Sequence, residues 1–360
     1  MIISPCVHLP PMISSDLAKD RTIMIRADGG PGMGTGHIMR CFSIAQRWMS
    51  MGGDVVFLKD DHTPFIDRML TDEGVKVHHL RSASMGPDDV QQVRDMSEEV
   101  DAMIIDGYHF SDDYISKLRE TNPLLMVDDL IDRERYDCDI LLNFNLYASK
   151  EYYEDKVVDG DMLIGPEFFP IRREFWPYFG KKRSIRTRVE NILLTMGGSD
   201  PHDYSSKVVS ALSDRADPGI EFHVVIGSAF DNRMERFATS DNIIFHRDVR
   251  DMSTLMNDCD LAISSAGTTS FELAFMGTPS IHVSIARNQV RNAESWRDRG
   301  GSFYLGWCED VPLTRLHEAF DRLVRNEEER RRMSNICQVL VDGGGSSRIC
   351  DIMLKLSQER

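Results

Sequence analysis

The chain has 360 residues and a formal net charge of −16, with 41% hydrophobic and 28% charged residues. This length and composition predict a globular protein with two domains, and the acidic balance disfavours nucleic acid and anionic membrane surfaces as partners. No apolar run approaches the roughly 18 residues of a membrane span. The 7 cysteines include no C-x-x-C pair, which predicts a cytoplasmic protein without disulfides or a zinc site.

The first half of the chain alternates short apolar stretches with amphipathic stretches of helical period. Residues 1–21 lack the basic start and apolar core of a signal peptide, so we expect an extension or a loose arm there. The alternation predicts a parallel, doubly wound α/β sheet that binds its ligand at the carboxyl ends of the strands. The predicted strands cover residues 22–27, 54–58, 75–79, 102–106 and 124–128.

Residues 162–190, which carry Ile164-Gly165-Pro166 and then a basic run over 181–188, form the predicted linker between two domains. It divides the chain into an N-terminal α/β domain over 22–180 and a C-terminal α/β domain over 181–360. One of the charged, amphipathic helices that end the chain could cross back onto the first domain. Predicted strands of the second domain cover residues 191–195, 220–226, 243–246, 261–264 and 280–283.

Five glycines within residues 29–36 follow the first predicted strand and precede an amphipathic helix. Such a loop lets the backbone approach a ligand closely, and the helix behind it offers free N–H groups and a positive dipole end. His37 stands where the loop becomes helix, so we expect a neutral imidazole that can accept a proton. Asp28, Gly34 and Gly36 are candidate ligand-binding residues. The alternative is a tight turn in which His37 only packs.

Two further loops share the predicted rim of the first sheet. Asp106 and Tyr108 could position a sugar or orient a base, while the alternative for Asp106 is a helix cap or turn. The adjacent acids Asp128 and Asp129 are expected to serve the structure of their own loop. We expect Arg26 and Arg40 to pair with nearby acids and not with substrate.

Two acidic pairs, Asp137-x-Asp139 and Asp258-x-Asp260, match the short pattern of metal-dependent glycosyltransferases. In a chain with 58 acidic residues such pairs arise by chance, so no metal site is predicted. Four histidines show no zinc spacing and are expected to lie on the surface or to pack: His62, His78, His79 and His109.

The second half carries two loops suited to a pyrophosphate, because backbone N–H groups and hydroxyls gather where a helix starts. Glu272 lies in the first two turns of the second of these helices and could accept hydrogen bonds from ribose, with dipole compensation as its alternative role. The candidate nucleotide-binding residues are Gly197, Gly198, Ser265, Gly267, Thr268, Thr269, Glu272 and Gln289.

The glycine loop does not have the spacing of a dinucleotide fold. In Gly32-x-Gly34-x-Gly36 the last glycine comes one residue too early for G-x-G-x-x-G, although the acidic pair Asp60-Asp61 follows the second strand. A P-loop is excluded as well, since no G-K-[ST] follows any glycine run. No cofactor is therefore predicted.

The stretch Ile25–Cys41, with G-x-G-H followed by R-C, resembles the signature of the UDP-2,4-diacetamido-2,4,6-trideoxy-β-L-altropyranose hydrolases of pseudaminic acid biosynthesis. The related spore-coat polysaccharide proteins share it. Further matching motifs run through nearly the whole chain after residue 21: Asp106-Gly107-Tyr108, Val127-Asp128-Asp129, Leu142-Asn143-Phe144-Asn145, Gly165-Pro166-Glu167-Phe168, Gly197-Gly198-Ser199-Asp200-Pro201, Gly267 to Pro279, and Asn288-Gln289.

The resemblance implies a two-domain glycosyltransferase-B fold with the active site in the cleft. It also implies metal-free hydrolysis of an anomeric C–O bond, with release of UDP and inversion. The family's catalytic histidine matches His37, and its active-site tyrosine and asparagine match Tyr108 and Asn288. Gly30 and Met33 depart from the residues many members carry, which leaves the sugar itself open.

Two other functions remain compatible with the sequence. A glycosyltransferase would use the same nucleotide half with an acceptor groove, and the apolar, basic first domain that suits a lipid-linked acceptor is not evident. A non-catalytic nucleotide-sugar binding protein would keep the second-half loops and would not need His37. The expected partner is a small UDP-sugar in each case, and the sequence does not indicate an oligomeric state.

Overall fold

The computed structural model describes residues 16–29, 34–60, 62–80, 87–213, 215–217, 219–227, 241–247 and 249–359. Most of the predicted N-terminal extension lies outside these ranges, as do Gly30 to Met33 of the glycine loop and Asp61 of the acidic pair.

The first half of the chain folds into a parallel sheet of seven strands with helices on both faces. Alternate residues of a strand point to opposite faces, so Ile23 and Ile25 enter one buried cluster and Met24 enters another. In chain order the elements are β1 (Thr22–Ala27), α1 (Gly36–Ser50), β2 (Asp54–Lys59), α2 (Pro64–Asp72), β3 (Lys76–His79), α3 (Pro87–Ser97), β4 (Ala102–Asp106), α4 (Asp112–Arg119), β5 (Leu124–Val127), β6 (Ile140–Asn143) and β7 (Asp161–Ile164). Their spatial order is β3-β2-β1-β4-β5-β6-β7.

The second half forms a parallel sheet of six strands, so the predicted doubly wound architecture is confirmed in both halves. Its elements are β8 (Asn191–Thr195), α5 (Tyr204–Leu212), β9 (Glu221–Ile226), β10 (Ile243–Arg247), α6 (Met252–Asp258), β11 (Leu261–Ser265), α7 (Thr269–Met276), β12 (Ser280–Ser284), α8 (Val290–Asp298), β13 (Phe303–Trp307), α9 (Leu313–Arg325), α10 (Glu327–Leu340) and α11 (Gly345–Glu359). The spatial order is β10-β9-β8-β11-β12-β13. Among the described residues, no helix is both long and apolar enough to cross a membrane.

Three strands, β6, β7 and β13, escape the sequence prediction. The segment between β6 and β7 contains a single 3-10 turn at Lys150–Tyr152 and no α-helix, so the strand–helix alternation that locates the other strands is missing there. β7 pairs in parallel with β6 and belongs to the first sheet. The prediction that the linker begins at residue 162 is therefore wrong, because residues 162–164 are part of this strand. The domain boundaries drawn from the sequence remain a prediction.

The last helix and the start of the described chain both pack against α1. The thiol Sγ of Cys350 in α11 lies 3.7 Å from the carbonyl oxygen of Ile44, and the guanidinium of Arg21 donates to the carbonyl of Ser357 at 2.8 Å. Ala18 is buried, and its N–H donates to the carbonyl of Met51 at 2.9 Å. The chain therefore returns to the first sheet after completing the second.

Three aromatic rings join the two halves of the chain. Phe271 of α7 stacks on Phe169 with ring centroids 4.8 Å apart, and meets Phe144 edge to face at 5.3 Å. All three side chains are buried. This contact fixes the position of α7 relative to the end of β6.

One buried histidine makes the second sheet sensitive to acid. His282 lies in the middle of β12, where Ser280 Oγ is 3.0 Å from its Nε2 and where Nδ1 has no partner among the described residues. Burial lowers the pKa of His282 to about 3, because the imidazolium would lose its hydration.

We expect the free energy of unfolding to decrease below about pH 6.5, the pKa of histidine in an unfolded chain. Below that pH the histidine of the unfolded chain is protonated, whereas His282 in the folded protein stays neutral down to about pH 3. The free energy of unfolding therefore falls by about 1.4 kcal/mol for each pH unit of acidification. His282→Leu should reduce the slope of the free energy of unfolding against pH by this amount, as measured by urea unfolding between about pH 6 and pH 4. Ser280→Ala, which keeps the imidazole, should retain the slope. Equal slopes for His282→Leu and the unsubstituted protein would contradict the prediction.

Candidate active site

The carboxyl ends of the two sheets face each other across a cleft of about 950 Å³. This volume lies in the range of small-molecule binding sites. The cleft brings together residues from both halves of the chain, and the predicted site residues that line it are Gly34, Gly36, His37, Tyr108, Gly197, Gly198, Ser265, Gly267, Thr268, Thr269, Glu272, Asn288 and Gln289.

His37 is the second residue of α1, and its imidazole is held by Asp106 at the end of β4. Asp106 pairs with Ala27 in the sheet, which puts its carboxylate beside the start of α1. His37 Nδ1 lies 2.7 Å from Asp106 Oδ1. Although burial opposes ionisation, Arg40 and His37 hold the pKa of Asp106 well below its usual range.

The ionised carboxylate of Asp106 sets the tautomer of His37. A carboxylate can only accept, so in the neutral ring Nδ1 carries the proton and Nε2 keeps a lone pair. Arg40 Nη2 also lies 3.0 Å from Nδ1, but it donates to Asp106 Oδ1 at the shorter distance of 2.6 Å. Nε2 has no hydrogen-bond partner among the described residues, and His37 lines the cleft. The arrangement provides a base that is oriented from behind by a carboxylate.

Arg40, one turn further along α1, holds the Asp106 carboxylate in its position beside His37. Its Nε lies 2.5 Å from Asp106 Oδ2 and its Nη2 lies 2.6 Å from Asp106 Oδ1, while Nη1 donates to both oxygens of Asp129 at 2.9 and 2.8 Å. Arg26 likewise pairs with Asp28 at 2.6 Å. The predicted pairing of both arginines with acids is confirmed.

Tyr108 and Asn288 form a hydrogen bond across the cleft. Tyr108 Oη donates to Asp129 Oδ2 at 2.7 Å and accepts from Asn288 Nδ2 at 3.0 Å. The Tyr108 ring meets His37 edge to face with centroids 4.5 Å apart. Burial and the neighbouring Asp129 raise the pKa of Tyr108 well above its usual range, so the phenol stays protonated and can donate.

The glycine-rich loops of the two halves lie close together. A Cβ atom added to Gly198 would lie 2.9 Å from Thr35 Oγ1, and one added to Gly36 would lie 3.9 Å from the side chain of Thr268. Gly197 has a φ of +84°, a conformation that favours glycine. The Thr268 hydroxyl makes no capping bond to α7, which leaves it free to meet a ligand at the start of that helix.

Glu272 is tied to the segment between the two sheets. Its Oε1 accepts from Arg172 Nε at 2.7 Å, and Arg172 Nη1 lies 3.1 Å from Glu174 Oε1. Burial, with Glu272 nearby, raises the pKa of Glu174 to about 7. Glu272 Oε2 has no partner among the described residues, so one carboxylate oxygen remains for a ligand in the cleft.

Two candidate residues do not line the cleft. The carboxylate of Asp28 accepts from Arg26, from the N–H of Asp60 at 2.7 Å and from His109 Nε2 at 3.0 Å, and these contacts lower its pKa to about 2 despite burial. Asp28 thus holds the loops of the first sheet together. Asp106 lies behind His37 and Arg40, which both line the cleft. We therefore treat both as positioning residues, not as ligands.

Ser265 and Gln289 line the cleft with part of their hydrogen-bonding capacity already used. Ser265 Oγ donates to the carbonyl of Met196 at 3.1 Å, and Gln289 Oε1 accepts from the N–H of Ile285 at 3.0 Å. The Gln289 amide nitrogen remains near Gly267, at 3.4 Å from the place where a Cβ atom would stand.

Asp129 belongs to the site, which corrects the sequence interpretation that it serves only its own loop. It accepts from Arg40, from Tyr108 and from Asn145 Nδ2 at 3.0 Å. Asp128 has the structural role expected for it, since it accepts two backbone N–H groups of the loop. The sequence does not indicate this difference, because the partners of Asp129 come from three separate places in the chain: helix α1 and the loops after β4 and β6.

The acidic pairs have structural roles where their contacts are described. Asp139 Oδ2 accepts from the N–H of Leu124 at 2.8 Å, and Asp260 Oδ2 accepts from the N–H of Glu190 at 2.8 Å. These contacts support the expectation that the D-x-D pattern arises by chance.

Two of the four histidines lie beside an acidic residue near the surface. Among the described residues, one group of three donors lies close enough to share a metal ion: His62, Asp67 and His79, with donor atoms within 4.8 Å of one another. The sequence gives no zinc spacing because the group is assembled from two strand ends and a helix. Lys59 Nζ already lies 2.8 Å from Asp67 Oδ1, and none of the three lines the cleft.

Comparison with known sequences finds one family model and several relatives that resemble this chain. Residues 192–340 match the family model of the glycosyltransferase family 28 C-terminal domain. The chain is 29% identical to an uncharacterized protein of Methanocaldococcus jannaschii over 277 residues. This alignment covers 72% of this chain and 54% of the relative. The chain thus spans about half the length of that relative.

Two further relatives match along nearly their whole length. The chain is 23% identical to the spore coat polysaccharide biosynthesis protein SpsG of Bacillus subtilis, over 93% of this chain and 98% of that one. It is 25% identical to the UDP-2,4-diacetamido-2,4,6-trideoxy-β-L-altropyranose hydrolase of Campylobacter jejuni, over 78% of this chain and 97% of that one.

Solved structures with the same architecture include MurG of Acinetobacter baumannii, at 15% identity and a TM-score of 0.61, over 93% of this chain and 99% of that one. Another is the UDP-GlcNAc 2-epimerase of Neisseria meningitidis, at 11% identity and a TM-score of 0.63, over 93% of this chain and all of that one. The chain therefore has the two-domain glycosyltransferase-B fold, as predicted. Its motif resemblance to the UDP-diacetamido-trideoxy-altropyranose hydrolases and the spore-coat proteins is confirmed by the relatives that carry those names.

Proposed function

We propose that this protein hydrolyses a UDP-linked diacetamido-trideoxy sugar at the anomeric C–O bond and releases UDP and the free sugar. One observation carries the proposal: Asp106 fixes Nδ1 of His37 and leaves Nε2 free, in a cleft whose other wall is made of glycine- and hydroxyl-rich loops. The relative from Campylobacter jejuni that is named for this hydrolysis supports the choice of substrate.

In the proposed reaction His37 acts as a general base. Nε2 takes a proton from water while the water oxygen forms a bond to the anomeric carbon. The bond from that carbon to the UDP oxygen breaks on the opposite face, so the configuration inverts. Ionised Asp106 stabilises the imidazolium that results.

The second half of the chain stabilises the leaving group. Backbone N–H groups at the start of α7 and the hydroxyl of Thr268 would meet the negative charge that develops on the pyrophosphate. The free oxygen of Glu272 would accept a hydrogen bond from ribose. Because these donors compensate the charge of UDP, the proposal requires no metal ion.

A glycosyltransferase is the second candidate, and one feature of the cleft favours it. The sequence shows no apolar surface for an acceptor, yet one wall of the cleft is apolar and is formed by side chains of α1 and α2: Met39, Phe42, Phe65, Ile66 and Met69. An acceptor with an apolar part would fit this wall. The match of residues 192–340 to a glycosyltransferase domain also favours a transferase.

Turnover in ¹⁸O-labelled water separates the two candidates. We expect the label on the anomeric oxygen of the free sugar and none in UDP, because water attacks carbon and UDP departs with its own oxygen. Mass spectrometry of both products at early times gives the result. Free sugar kept in labelled water without enzyme corrects for spontaneous exchange at the anomeric centre.

Two other outcomes would contradict the hydrolase. Label in UDP would mean attack at phosphorus, and product that forms only after a sugar or lipid acceptor is added would identify a transferase. The same reaction run in excess EDTA tests the metal-free mechanism, which activity restored only by Mg²⁺ or Mn²⁺ would overturn.

A further inference from the structure

Asn145 is a polar residue of the cleft to which the mechanism above gives no role. It follows β6, lines the cleft and keeps 7% of its surface exposed. An asparagine amide offers two donors on nitrogen and an acceptor on oxygen. Which of them faces a ligand depends on how the neighbouring residues orient the amide.

Asp129 gives the first constraint on that orientation. Although Asp129 is buried, the Arg40 guanidinium lowers the pKa of its carboxyl group, and Arg40 donates to both carboxylate oxygens. An ionised carboxylate accepts and cannot donate. The Asn145 atom that lies 3.0 Å from Asp129 Oδ1 must therefore be the amide nitrogen.

Asn143 gives a second, independent constraint. Tyr153 donates its hydroxyl proton to Asp128 Oδ2 at 2.7 Å, so its oxygen accepts from Asn143 Nδ2, also at 2.7 Å. Asn143 Oδ1 then points at Asn145 and accepts from its backbone N–H at 3.0 Å and from its Nδ2 at 2.9 Å. Both hydrogens of the Asn145 amide are thereby used inside the protein.

The remaining group is the carbonyl oxygen Oδ1 of Asn145, which has no hydrogen-bond partner among the described residues. We propose that Oδ1 of Asn145 accepts a hydrogen bond from an amide N–H of the sugar and so selects acylamino sugars over their hydroxyl counterparts. The inference depends on the proposed function, in that it places a UDP-linked sugar in this cleft.

An amide N–H suits this position better than a hydroxyl. A fixed carbonyl oxygen can only accept and an amide N–H can only donate, so this pairing matches both atoms, whereas a hydroxyl oxygen would bring a second acceptor to the same place. The acyl methyl group that accompanies the N–H needs an apolar surface. The rings of Phe144 and Tyr147, on either side of Asn145 in the chain, line the same cleft and supply one.

UDP-N-acetylglucosamine and UDP-glucose test the proposal, because they differ by one acetamido group in place of a hydroxyl. We expect the unsubstituted protein to bind the first more tightly in calorimetry, with free UDP as the measure of nucleotide affinity. Asn145→Ala should reduce this preference about three- to tenfold, the usual effect of one neutral hydrogen bond, and leave UDP affinity within about twofold. Asn257→Ala, an exposed asparagine of α6, is the matched control and should change nothing.

Tyr153→Phe provides a second variant if Asn145→Ala does not fold. It leaves Asn145 in place and removes one anchor of its orientation, so it should reduce the same preference without changing UDP affinity. The proposal is overturned if the unsubstituted protein binds the two nucleotide sugars equally, or if both variants weaken UDP in proportion. None of these measurements requires turnover, so an acetamido preference without hydrolysis would reject the proposed reaction and keep this inference.

Discussion

His37→Gln is expected to lower turnover about 10²–10⁴-fold, the range for loss of a general base. Glutamine can still hydrogen-bond to Asp106, but its amide cannot take a proton from water. UDP affinity should change little, because the nucleotide is proposed to bind the second half of the chain. Initial rates at saturating substrate, calorimetric UDP binding and the melting temperature, all on one preparation, check the prediction.

Each alternative role of His37 predicts a different pattern. Weak binding with almost normal turnover at saturation would make His37 a binding residue. A lower melting temperature with a proportionate loss of folded enzyme would make it structural. His109→Gln is the matched control, since His109 lies in the same half and contacts Asp28 outside the cleft. It should leave turnover close to that of the unsubstituted protein.

Much of the fold follows from alternation in the sequence. Short apolar runs separated by amphipathic helices locate ten of the strands to within a residue or two, since a parallel strand needs a crossover before the next strand can pair. The rule fails at β6 and β7, because neither residues 128–139 before β6 nor residues 144–160 before β7 contain an α-helix. It fails again at β13, where Gly306 interrupts the apolar run.

The site could be predicted in part, because loops between strands and helices carry ligands in such sheets. What the sequence does not give is the register between neighbouring strands. Val127 pairs with both Asp106 and Leu142, so the ends of β4, β5 and β6 lie side by side. Asp129 and Asn145, which follow two of these strands, therefore become neighbours although they are 16 residues apart.

Asp106→Asn should lower turnover about as much as the loss of His37, roughly 10²–10⁴-fold. Arg40 donates to both oxygens of Asp106, and an asparagine amide has one oxygen to offer. If its nitrogen turns towards His37, Nδ1 must accept, and the ring proton moves to Nε2. Nε2 of His37 then carries a proton and has no lone pair with which to accept one from water.

The same substitution should also destabilise the fold. It leaves the buried guanidinium of Arg40 with Asp129 as its remaining carboxylate, and loss of one partner of a buried ion pair costs about 3–5 kcal/mol. Because the folded pKa of Asp106 lies below its unfolded value, this stabilisation is present above about pH 4 and is lost on acidification. Urea unfolding at neutral pH measures the loss.

Nitrogen NMR of the His37 ring separates the catalytic effect of Asp106 from the structural one. In the unsubstituted protein we expect Nδ1 to carry the proton, and in Asp106→Asn we expect the proton on Nε2, a change that instability alone would not produce. Asp137→Asn is the matched control: it removes a carboxylate that pairs with Arg119 away from the cleft, and should leave the His37 signals and turnover unchanged. A folded Asp106→Asn variant with normal turnover would show that His37 does not depend on Asp106 for its orientation.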